Sequence, residues 1–323
     1  GNIIPKKMVV IFFEQSGLGD LIIYANYLIE ISKKYGPVTL LAKKSSRADE
    51  IFKHDESVKK IIYLDRQKGK GKHSGIKGAW LLSKEIKNSG TYEAAFLFSS
   101  SLRYMIIFKL AGIKKIFQYP LFKQKDDIVL SAKLFTEKCL NQVISTESRI
   151  KVPSNLVEEA KRKYNIDNNI KNIVIGGSAS GPTKIWPTER FLALCEKLQK
   201  KYPCKFLLAG GPNDQFINHF LNSPLKKSCV SLKELSISEI LPIISNANLC
   251  ISNDSSFLHI SASLNIKCIG LFGDSPLCYA SWSKNINIVE APGLEGTTTH
   301  DSLAMDKISL ESVYNKAEKL LNL

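Results

Sequence analysis

The fold class is indicated most directly by the segment Asn248-Leu-Cys-Ile-Ser-Asn-Asp254-Ser-Ser-Phe-Leu-His259-Ile-Ser-Ala-Ser-Leu264. Its short apolar run, Leu249 to Ile251, predicts a buried strand. The residues from Asn253 to Ser256 favour turns and helix caps, so a helix is predicted to follow directly. Strand, tight turn and helix in this order form the repeating unit of an α/β protein with a parallel sheet.

The same turn has the chemistry of a binding site. A helix that begins at Ser255 or Ser256 directs unpaired backbone N–H groups at the turn, and such groups bind anions, particularly phosphate. Asp254 is placed to accept hydrogen bonds from sugar hydroxyls, and His259 to donate to a phosphate or to hold the turn. The pattern therefore indicates a nucleotide-sugar site. An ordinary turn capped by Asp254 or Ser255 is the alternative.

The composition is typical of a globular protein with two domains. The chain has 323 residues, 44% hydrophobic and 23% charged, which is long for a single core. No apolar run approaches the ~20 residues of a membrane-spanning helix, and the first residues do not resemble a signal peptide. The seven cysteines are dispersed without a C-x-x-C motif, which favours reduced thiols over disulfides or zinc ligands.

Positive charge is concentrated in the first half of the chain. Residues 1–155 contain 27 Lys and Arg against 14 Asp and Glu, whereas residues 156–323 contain 18 against 16. A one-sided positive field attracts an anionic partner. The densest cluster is Arg66-Gln-Lys68-Gly-Lys70-Gly-Lys72-His73, whose interleaved glycines predict a mobile loop.

Apolar strand candidates alternate with amphipathic helices along the chain, and the pattern restarts after Pro153. This alternation predicts the α/β class with doubly wound parallel sheets. We expect a basic domain over 1–153, a second Rossmann-like domain over 154–305, and a closing helix over 306–323 that packs back towards the first domain. Ligands bind at the carboxyl ends of the strands in such sheets, and we expect the two domains to face a cleft.

A glycine-rich turn follows the first predicted strand, at Ser16-Gly17-Leu18-Gly19-Asp20. Gly17 and Gly19 permit a sharp turn and the close approach of a ligand. Asp20 would then lie at the mouth of the cleft, where a carboxylate can act as general base towards an acceptor hydroxyl. The alternative is that Asp20 caps the next helix. The spacing matches neither the dinucleotide fingerprint nor a P-loop.

A second loop, Gly176 to Pro187, follows the first strand of the second half. Lys184 can neutralise a phosphate as a point charge, although an ordinary exposed lysine is the alternative. Trp186 is expected to pack and anchor the loop. Hydroxyls able to donate to a phosphate are those of Ser178, Ser180 and Thr183.

A third loop, Ala209-Gly210-Gly211-Pro212-Asn213-Asp214, also follows a predicted strand. Its glycines permit close approach of a nucleoside, and Asp214 can accept from ribose hydroxyls; a simple turn explains the pattern equally well. The sequence has no H-E-x-x-H, Cys/His cluster or D-x-D pair, so we expect neither a metal nor another cofactor. A leaving diphosphate would then be stabilised by lysine, hydroxyls and helix N-termini.

Taken together, these segments resemble glycosyltransferase family 9, the ADP-heptose:lipopolysaccharide heptosyltransferases. The resemblance runs over most of the chain. The family usually has Asp-Thr-Gly where this chain has Asp254-Ser255-Ser256. The ordered motifs that carry the resemblance are Gly17-Leu-Gly-Asp20, Lys184-Ile-Trp-Pro187-x-Glu189, Ala209-Gly-Gly-Pro212, Asn253-Asp254-Ser-Ser-Phe-Leu-His259-Ile-x-Ala262, Gly270-Leu-Phe-Gly273 and Ala304-Met-Asp-Lys-Ile-Ser-Leu-Glu-Ser-Val313.

The resemblance implies a GT-B fold and metal-independent, inverting transfer, with the acceptor in the first domain and the nucleotide-sugar in the second. On the matching positions it implies that Asp20 is the catalytic base, that Lys184 binds the diphosphate and that Asp254 binds the donor sugar. The remaining expected contacts are Ser180, Thr183, Ser255, Ser256 and His259 for the diphosphate, Gly210, Gly211 and Asp214 for the nucleoside, and Gly17, Gly19, Lys68, Lys70 and Lys72 for the acceptor.

The implied donor is ADP-L-glycero-D-manno-heptose, and the implied acceptor is a Kdo or heptose of the lipopolysaccharide or lipooligosaccharide inner core. The basic first domain fits this anionic, lipid A-linked acceptor. We expect a monomer at the cytoplasmic face of the bacterial inner membrane that binds no nucleic acid. The alternatives are a family-9 transferase with another nucleotide-sugar or a protein acceptor, a basic nucleic-acid-binding protein, and an inactive sugar-binding protein.

Overall fold

A computed structural model of the chain describes residues 8–15, 17–123 and 126–322. The chain divides into two compact units, Gly1–Ser148 (unit 1) and Arg149–Leu323 (unit 2), each with its own parallel sheet. The division falls slightly before the predicted boundary at residue 153. The reason is a backbone hydrogen bond of 3.2 Å from Ile150 N to Ser263 O, which ties the connecting segment to unit 2.

Unit 1 alternates strands and helices, as predicted. The strands described in it are β1 (Met8–Phe13), β2 (Val38–Ala42), β3 (Val58–Tyr63), β4 (Tyr92–Phe98) and β5 (Ile116–Gln118). The helices are α1 (Leu18–Tyr35), α2 (Ala48–Ile51), α3 (Gly75–Ser89), α4 (Leu102–Leu110) and α5 (Ile128–Leu140).

The sheet of unit 1 has the order β3-β2-β1-β4-β5, with all neighbours parallel. The chain runs outward from β1 to β3 and then returns to β4, so the topological switch point lies between β1 and β4. Helices α3 and α4 cover one face through a core that includes Leu82, Ile107 and Phe108. Helix α1 contacts α5, where Tyr27 donates to the Val129 carbonyl at 3.2 Å. The central strands are buried on both faces, which explains their continuous apolar runs.

Unit 2 repeats the pattern around a larger sheet. Its strands are β6 (Lys171–Gly176), β7 (Cys204–Leu208), β8 (Cys229–Ser231), β9 (Leu249–Asn253), β10 (Cys268–Leu271) and β11 (Ile286–Val289). Its helices are α6 (Ser154–Lys163), α7 (Thr188–Lys201), α8 (Gln215–Leu221), α9 (Ile237–Ile244), α10 (Ser256–Ser263) and α11 (Leu310–Leu321).

The sheet of unit 2 has the order β11-β10-β9-β6-β7-β8, again entirely parallel. The chain winds from β6 to β8 on one side and from β9 to β11 on the other, so its switch point lies between β6 and β9. The predicted α/β class with doubly wound parallel sheets is thereby confirmed. The edge strands β8 and β11 were not predicted, because each is short and only half-buried, without a clear apolar run.

The closing helix α11 was expected to pack towards the first domain. Its apolar face completes the core of unit 2, to which it contributes Val313, Ala317 and Leu321. These residues are spaced by four, so they share one face of the helix. Packing of this helix towards the first domain remains a prediction. Helix α11 lies on α7, and salt bridges of 2.8 Å (Lys197–Glu311) and 2.9 Å (Lys201–Glu318) join the exposed edges of the two helices.

Candidate functional site

The switch point of unit 2 brings two predicted site loops together. One loop follows β6 and the other follows β9, and these two strands are neighbours. Asn253, the buried last residue of β9, joins the loops: its Oδ1 accepts from Trp186 N at 3.1 Å and its Nδ2 donates to Ser178 O at 3.4 Å. Trp186 is fully buried and anchors the loop, as predicted. Ligands of open α/β sheets bind at this position.

The two strand ends approach each other so closely that the last residue of β6 must be glycine. A Cβ atom built on Gly176 would lie 2.2 Å from Ser252 Oγ. The Ser252 hydroxyl is held in place, because it donates to Asn253 O at 2.7 Å and lies 3.0 Å from Ser255 Oγ. The Ser252 side chain therefore packs directly against the Gly176 backbone, with no room for a side chain between the two strand ends.

Asp254 is held by a chain of buried polar groups. Its Oδ1 lies 3.3 Å from His259 Nε2, and His259 Nδ1 lies 3.0 Å from Trp282 Nε1. The indole N–H is only a donor, so His259 Nδ1 must accept and the proton of the ring lies on Nε2, facing Asp254. His259 is 4% exposed. His259 thus holds the turn, which is one of its two predicted roles; binding of the diphosphate by His259 remains a prediction.

The carboxyl group of Asp254 is kept ionised. Burial raises its pKa, but hydrogen bonds from His259 and Ser275 and the positive charge of Lys184 outweigh this effect and hold the pKa below its usual range. Asp254 therefore offers negative acceptor oxygens to a ligand hydroxyl across the whole physiological pH range.

Lys184 ends a single 3-10 turn, Pro182–Lys184, in the loop after β6. Its side chain is half-buried, and its charge reaches Asp254. Within the described residues the ammonium forms no hydrogen bond or ion pair, so it retains its capacity to bind an anion. Ser180 and Thr183 are exposed on the same loop. The predicted helix after this loop begins at Thr188, directly after Pro187.

The helix that follows Asp254 begins at Ser256, with Ser255 at the N-cap position. The Ser255 hydroxyl makes no capping hydrogen bond and instead contacts Ser252. The backbone N–H groups of the first turn of α10 are thus left uncapped by this side chain, and helix ends of this kind bind anions.

The loop after β7 has a more local structure than predicted. The Asp214 carboxylate accepts a hydrogen bond from Gly211 N, and a Cβ on Gly210 would lie 2.6 Å from Asp214 Oδ2. These contacts explain Gly210 and the aspartate as parts of a turn, which is the alternative the sequence left open. Binding of ribose by Asp214 remains a prediction.

Three residues of this site were missed from the sequence: Asn253 as a connector, Ser275 and Trp282. Ser275 is 2% exposed and lies in the loop after β10, two residues beyond the Gly270–Gly273 motif, which is the signal that could have located it. Trp282 lies 23 positions from His259, and no local pattern relates the two residues.

In unit 1, Asp20 lies in the first turn of α1, which begins at the carboxyl end of β1 and at the switch point. Its Oδ2 accepts a hydrogen bond of 3.2 Å from Gly17 N, so Asp20 does cap the helix end. Across the switch point, Ser99 Oγ donates to Glu14 Oε2 at 2.8 Å. Ser16 lies outside the described residues. A catalytic role of Asp20 remains a prediction.

The expected mobile loop of unit 1 is instead an ordered hairpin. Gln67 and Lys70 exchange backbone hydrogen bonds of 2.8 and 2.9 Å across a turn whose central residues, Lys68 and Gly69, have φ angles of 51° and 74°. Positive φ at both central positions defines a type I′ turn, which favours glycine. The glycine here therefore fits a tight turn, and the mobility of the segment remains a prediction.

The hairpin is anchored by a histidine that is 1% exposed, His73. Its Nδ1 accepts from Asp65 N at 2.9 Å and its Nε2 lies 3.0 Å from Glu85 Oε2. Glu85 also pairs with Lys72 at 2.8 Å. Of the three lysines predicted to bind the acceptor, Lys72 is therefore already paired, whereas Lys68 and Lys70 are exposed.

A basic pocket of about 570 Å³ lies beside the hairpin. Two guanidinium nitrogens near it, Arg66 Nε and Arg103 Nε, are buried without a hydrogen-bond partner among the described residues. Burial and the nearby charge of Arg66 lower the pKa of Arg103. Like charges held this close favour an anionic ligand. The cationic side chains that line the pocket itself are Lys43, Lys44, Arg66 and Lys72.

Among the described residues, no group of three or more His, Cys, Asp or Glu side chains could hold a metal ion. No helix in this part of the chain is long and apolar enough to cross a membrane. All seven cysteines are free thiols. Metal independence remains a prediction.

The chain is similar to known heptosyltransferases over most of its length. Residues 111–307 match the family model for glycosyltransferase family 9 (heptosyltransferase). Lipopolysaccharide heptosyltransferase 1 of Campylobacter coli is 23% identical, over 90% of this chain and 92% of the relative. Lipooligosaccharide heptosyltransferase 2 of Campylobacter jejuni is 24% identical, over 84% of this chain and 82% of the relative.

Solved structures show the same fold. The ADP-heptose lps heptosyltransferase II of Escherichia coli superposes with a TM-score of 0.75 at 16% identity, covering 98% of both chains. The E. coli heptosyltransferase WaaC with ADP gives a TM-score of 0.70 at 13% identity, covering 97% of this chain and 100% of the other. Because the family model matches well over half of the chain, the protein belongs to glycosyltransferase family 9 and is a glycosyltransferase with the GT-B fold.

Proposed function

We propose that this protein transfers heptose from ADP-L-glycero-D-manno-heptose to a sugar of the lipopolysaccharide or lipooligosaccharide inner core. The observation that carries the proposal is the cluster at the switch point of unit 2. There an ionised Asp254, a lysine that makes no hydrogen bond or ion pair among the described residues, and an uncapped helix end lie on adjacent loops. The carboxylate suits a sugar hydroxyl, and the lysine and the helix end suit a diphosphate. Of two similar E. coli proteins, one is named an ADP-heptose heptosyltransferase and the other was solved with ADP.

On the donor side, Lys184 and the first-turn N–H groups of α10 bind the diphosphate, and the hydroxyls of Ser180 and Thr183 add hydrogen bonds. Asp254 accepts from hydroxyls of the heptose. These groups stabilise the charge that develops on the departing ADP, which in this proposal replaces the role of a metal ion.

On the acceptor side, Asp20 is the general base. It takes the proton of the acceptor hydroxyl while the hydroxyl oxygen forms a bond to the anomeric carbon of heptose. The bond from that carbon to the diphosphate breaks in the same step, and its electron pair leaves with ADP. Attack from the opposite side inverts the anomeric configuration. Arg66, Lys68 and Lys70 bind acidic groups of the acceptor.

The proposal is tested with the purified full chain, ADP-heptose and a lipid A-linked inner-core acceptor in the presence of EDTA. We expect ADP release and an acceptor product that is heavier by one heptose. UDP- and GDP-sugars serve as comparison donors. Product formed from one of those donors but not from ADP-heptose would overturn the donor assignment, and dependence on added metal would overturn the mechanism.

A further inference from the structure

Unit 1 exposes large apolar side chains at the carboxyl edge of its sheet. Helices α3 and α4 both begin at this edge and lie side by side on one face. On α3, Ile76 and Trp80 are 90% and 54% exposed; on α4, Leu102 and Ile106 are 37% and 45% exposed. A spacing of four residues places each pair on one helix face, in the first two turns.

A fifth apolar side chain extends this surface. Phe122 is 80% exposed and lies in the loop after β5. Its N–H donates to Ser100 O at 3.0 Å, next to the start of α4, and Ser100 Oγ donates to Lys123 O at 2.9 Å. The Phe122 φ angle of 61° is unfavourable for an aromatic residue. The loop thus holds this ring at the surface. We call Ile76, Trp80, Leu102, Ile106 and Phe122 the apolar rim.

The starts of α3 and α4 are fixed to each other. The Arg103 guanidinium donates a hydrogen bond to His73 O, which lies just before α3. The same histidine anchors the hairpin that carries Lys68 and Lys70. These hydrogen bonds connect the apolar rim to the hairpin that carries the exposed lysines.

Lysines are interleaved with the apolar rim. Lys77 adjoins Ile76, Lys123 adjoins Phe122, and the Lys84 ammonium lies 3.8 Å from the centre of the Trp80 ring. The acidic side chain of α3, Glu85, is already paired with Lys72 and His73. The rim thus combines apolar side chains with a positive border.

We propose that the apolar rim docks onto the surface of an anionic lipid bilayer. Apolar side chains that enter the headgroup region, with tryptophan at the interface and lysines directed at anionic headgroups, are the pattern of interfacial membrane binding. The border of lysines favours anionic lipid over a second copy of this chain, which carries the same positive surface. Binding to lipid needs neither donor nor acceptor, so it is separable from the proposed transfer.

Trp80 provides a direct reporter. The chain has three tryptophans, and the other two, Trp186 and Trp282, are fully buried. The full chain is mixed with phosphatidylcholine vesicles that contain or lack 30 mol% phosphatidylglycerol, a composition chosen to give a strong surface charge. With the anionic vesicles alone, we expect a blue shift of the tryptophan emission, less quenching by acrylamide, and quenching by lipids brominated on the acyl chain.

Variants then locate the contact, with binding measured by vesicle co-sedimentation. Ile76→Ser combined with Phe122→Ser should weaken binding at least about tenfold, since two buried apolar side chains are lost. Lys77→Gln should weaken binding about fivefold at low salt. The matched control, Leu130→Ser with Val143→Ser, removes two exposed apolar side chains from elsewhere in unit 1 and should bind normally. Trp80→Phe should bind but lose the spectral change.

Four results would overturn the proposal. The first is no binding to either type of vesicle. The second is binding without any change in Trp80 emission or quenching. The third is a loss of binding in the control variant that equals the loss in the rim variant. The fourth is a dimer, measured by light scattering, that the rim variant abolishes, since this would assign the rim to a second copy of the chain.

Discussion

The carboxyl edges of the two sheets of this enzyme differ in how far their polar side chains are paired with one another. At the switch point of unit 2, polar side chains satisfy one another: Trp282 fixes His259, and His259 holds Asp254. Beside the hairpin of unit 1, Arg66 and Arg103 retain buried nitrogens without partners among the described residues. Unit 2 offers a fixed geometry for one small ligand, whereas unit 1 offers unbalanced positive charge for a larger anionic one. The difference fits the proposed division of labour, with a nucleotide-sugar at unit 2 and a larger acidic acceptor at unit 1.

The largest effect is expected at the one residue of unit 1 that is proposed to do chemistry. Asp20→Asn keeps an acceptor oxygen for Gly17 N, so the helix end stays capped. It removes the base, and kcat should fall by about 10²–10⁴. The measurement is the steady-state transfer rate, with ADP binding determined alongside by calorimetry.

Glu14→Gln is the matched control for this prediction, because Glu14 is a carboxylate at the same switch point that bonds to Ser99. Its transfer rate should remain close to that of the wild type. Full activity of the Asp20 variant, or equal losses in both variants, would remove Asp20 from the mechanism.

The second prediction concerns the hydrogen-bonded chain from Trp282 through His259 to Asp254 in unit 2. Trp282→Phe keeps a ring in place but removes the N–H that fixes the His259 tautomer. The hydrogen bond to Asp254 then weakens, and kcat/KM for the donor should fall about 10- to 100-fold, as for a buried partner left unsatisfied. Trp80→Phe, at an exposed position, should leave donor kinetics unchanged.

This variant should also change the pH dependence. In the wild type, hydrogen bonds from His259 and Ser275 help to hold the pKa of Asp254 below its usual range, so the carboxylate form persists to a lower pH than in an ordinary aspartate. When the His259 bond is weakened the pKa rises, and donor binding should be lost at a higher pH as acid is added. An unchanged acidic limb in the KM profile of the donor would contradict this role of the chain.

The third prediction concerns the contact between the two strand ends of unit 2. Gly176→Ala places a methyl group against Ser252 and should destabilise the fold by about 1–3 kcal/mol. Gly181→Ala, in the same loop, meets nothing within 4 Å and should be neutral. Urea unfolding of both variants compares them; equal stability would mean that the strand ends are not rigidly spaced.

The sequence predicted most of this architecture because its signals are local. The apolar run Leu249 to Ile251 and the polar turn after it correctly placed β9 and α10. Strand β8, with three half-buried residues, carried no such signal. Glycine in the basic hairpin was ambiguous, since it suits a flexible loop and a type I′ turn equally well, and only the backbone pairing of Gln67 with Lys70 decides between them.

The same limit applies to the site. Asp254, Lys184 and His259 follow strands or lie on the first turns of helices, so motif reasoning found them. The partners that hold them in place come from other loops: Trp282 reaches His259 from a distant segment, and Asn253 contacts Trp186 across 67 positions. Such contacts depend on the order of the strands in the sheet. The sequence predicted a doubly wound parallel sheet but not this order.

The smallest effect is expected from the exposed lysines of the hairpin. Lys68→Gln with Lys70→Gln should raise the KM for the acceptor a few-fold at low salt and leave the KM for the donor unchanged. The effect is small because solvent and salt screen the attraction between exposed charges. The difference should vanish at high salt. Lys226→Gln with Lys227→Gln, two exposed lysines of unit 2, is the control. A salt-independent effect would point to direct contacts instead.

The central claim is that unit 2 carries a metal-independent site for ADP, and calorimetric titration in EDTA tests it most directly. ADP, UDP, GDP and CMP are titrated into the wild-type chain, into Lys184→Met and into the exposed-lysine control Lys200→Met. We expect selective binding of ADP. Lys184→Met should weaken it at least about tenfold, the contribution of one charge-assisted bond, and Lys200→Met should leave it intact. Absence of ADP binding, or equal affinities of the two lysine variants, would contradict the claim.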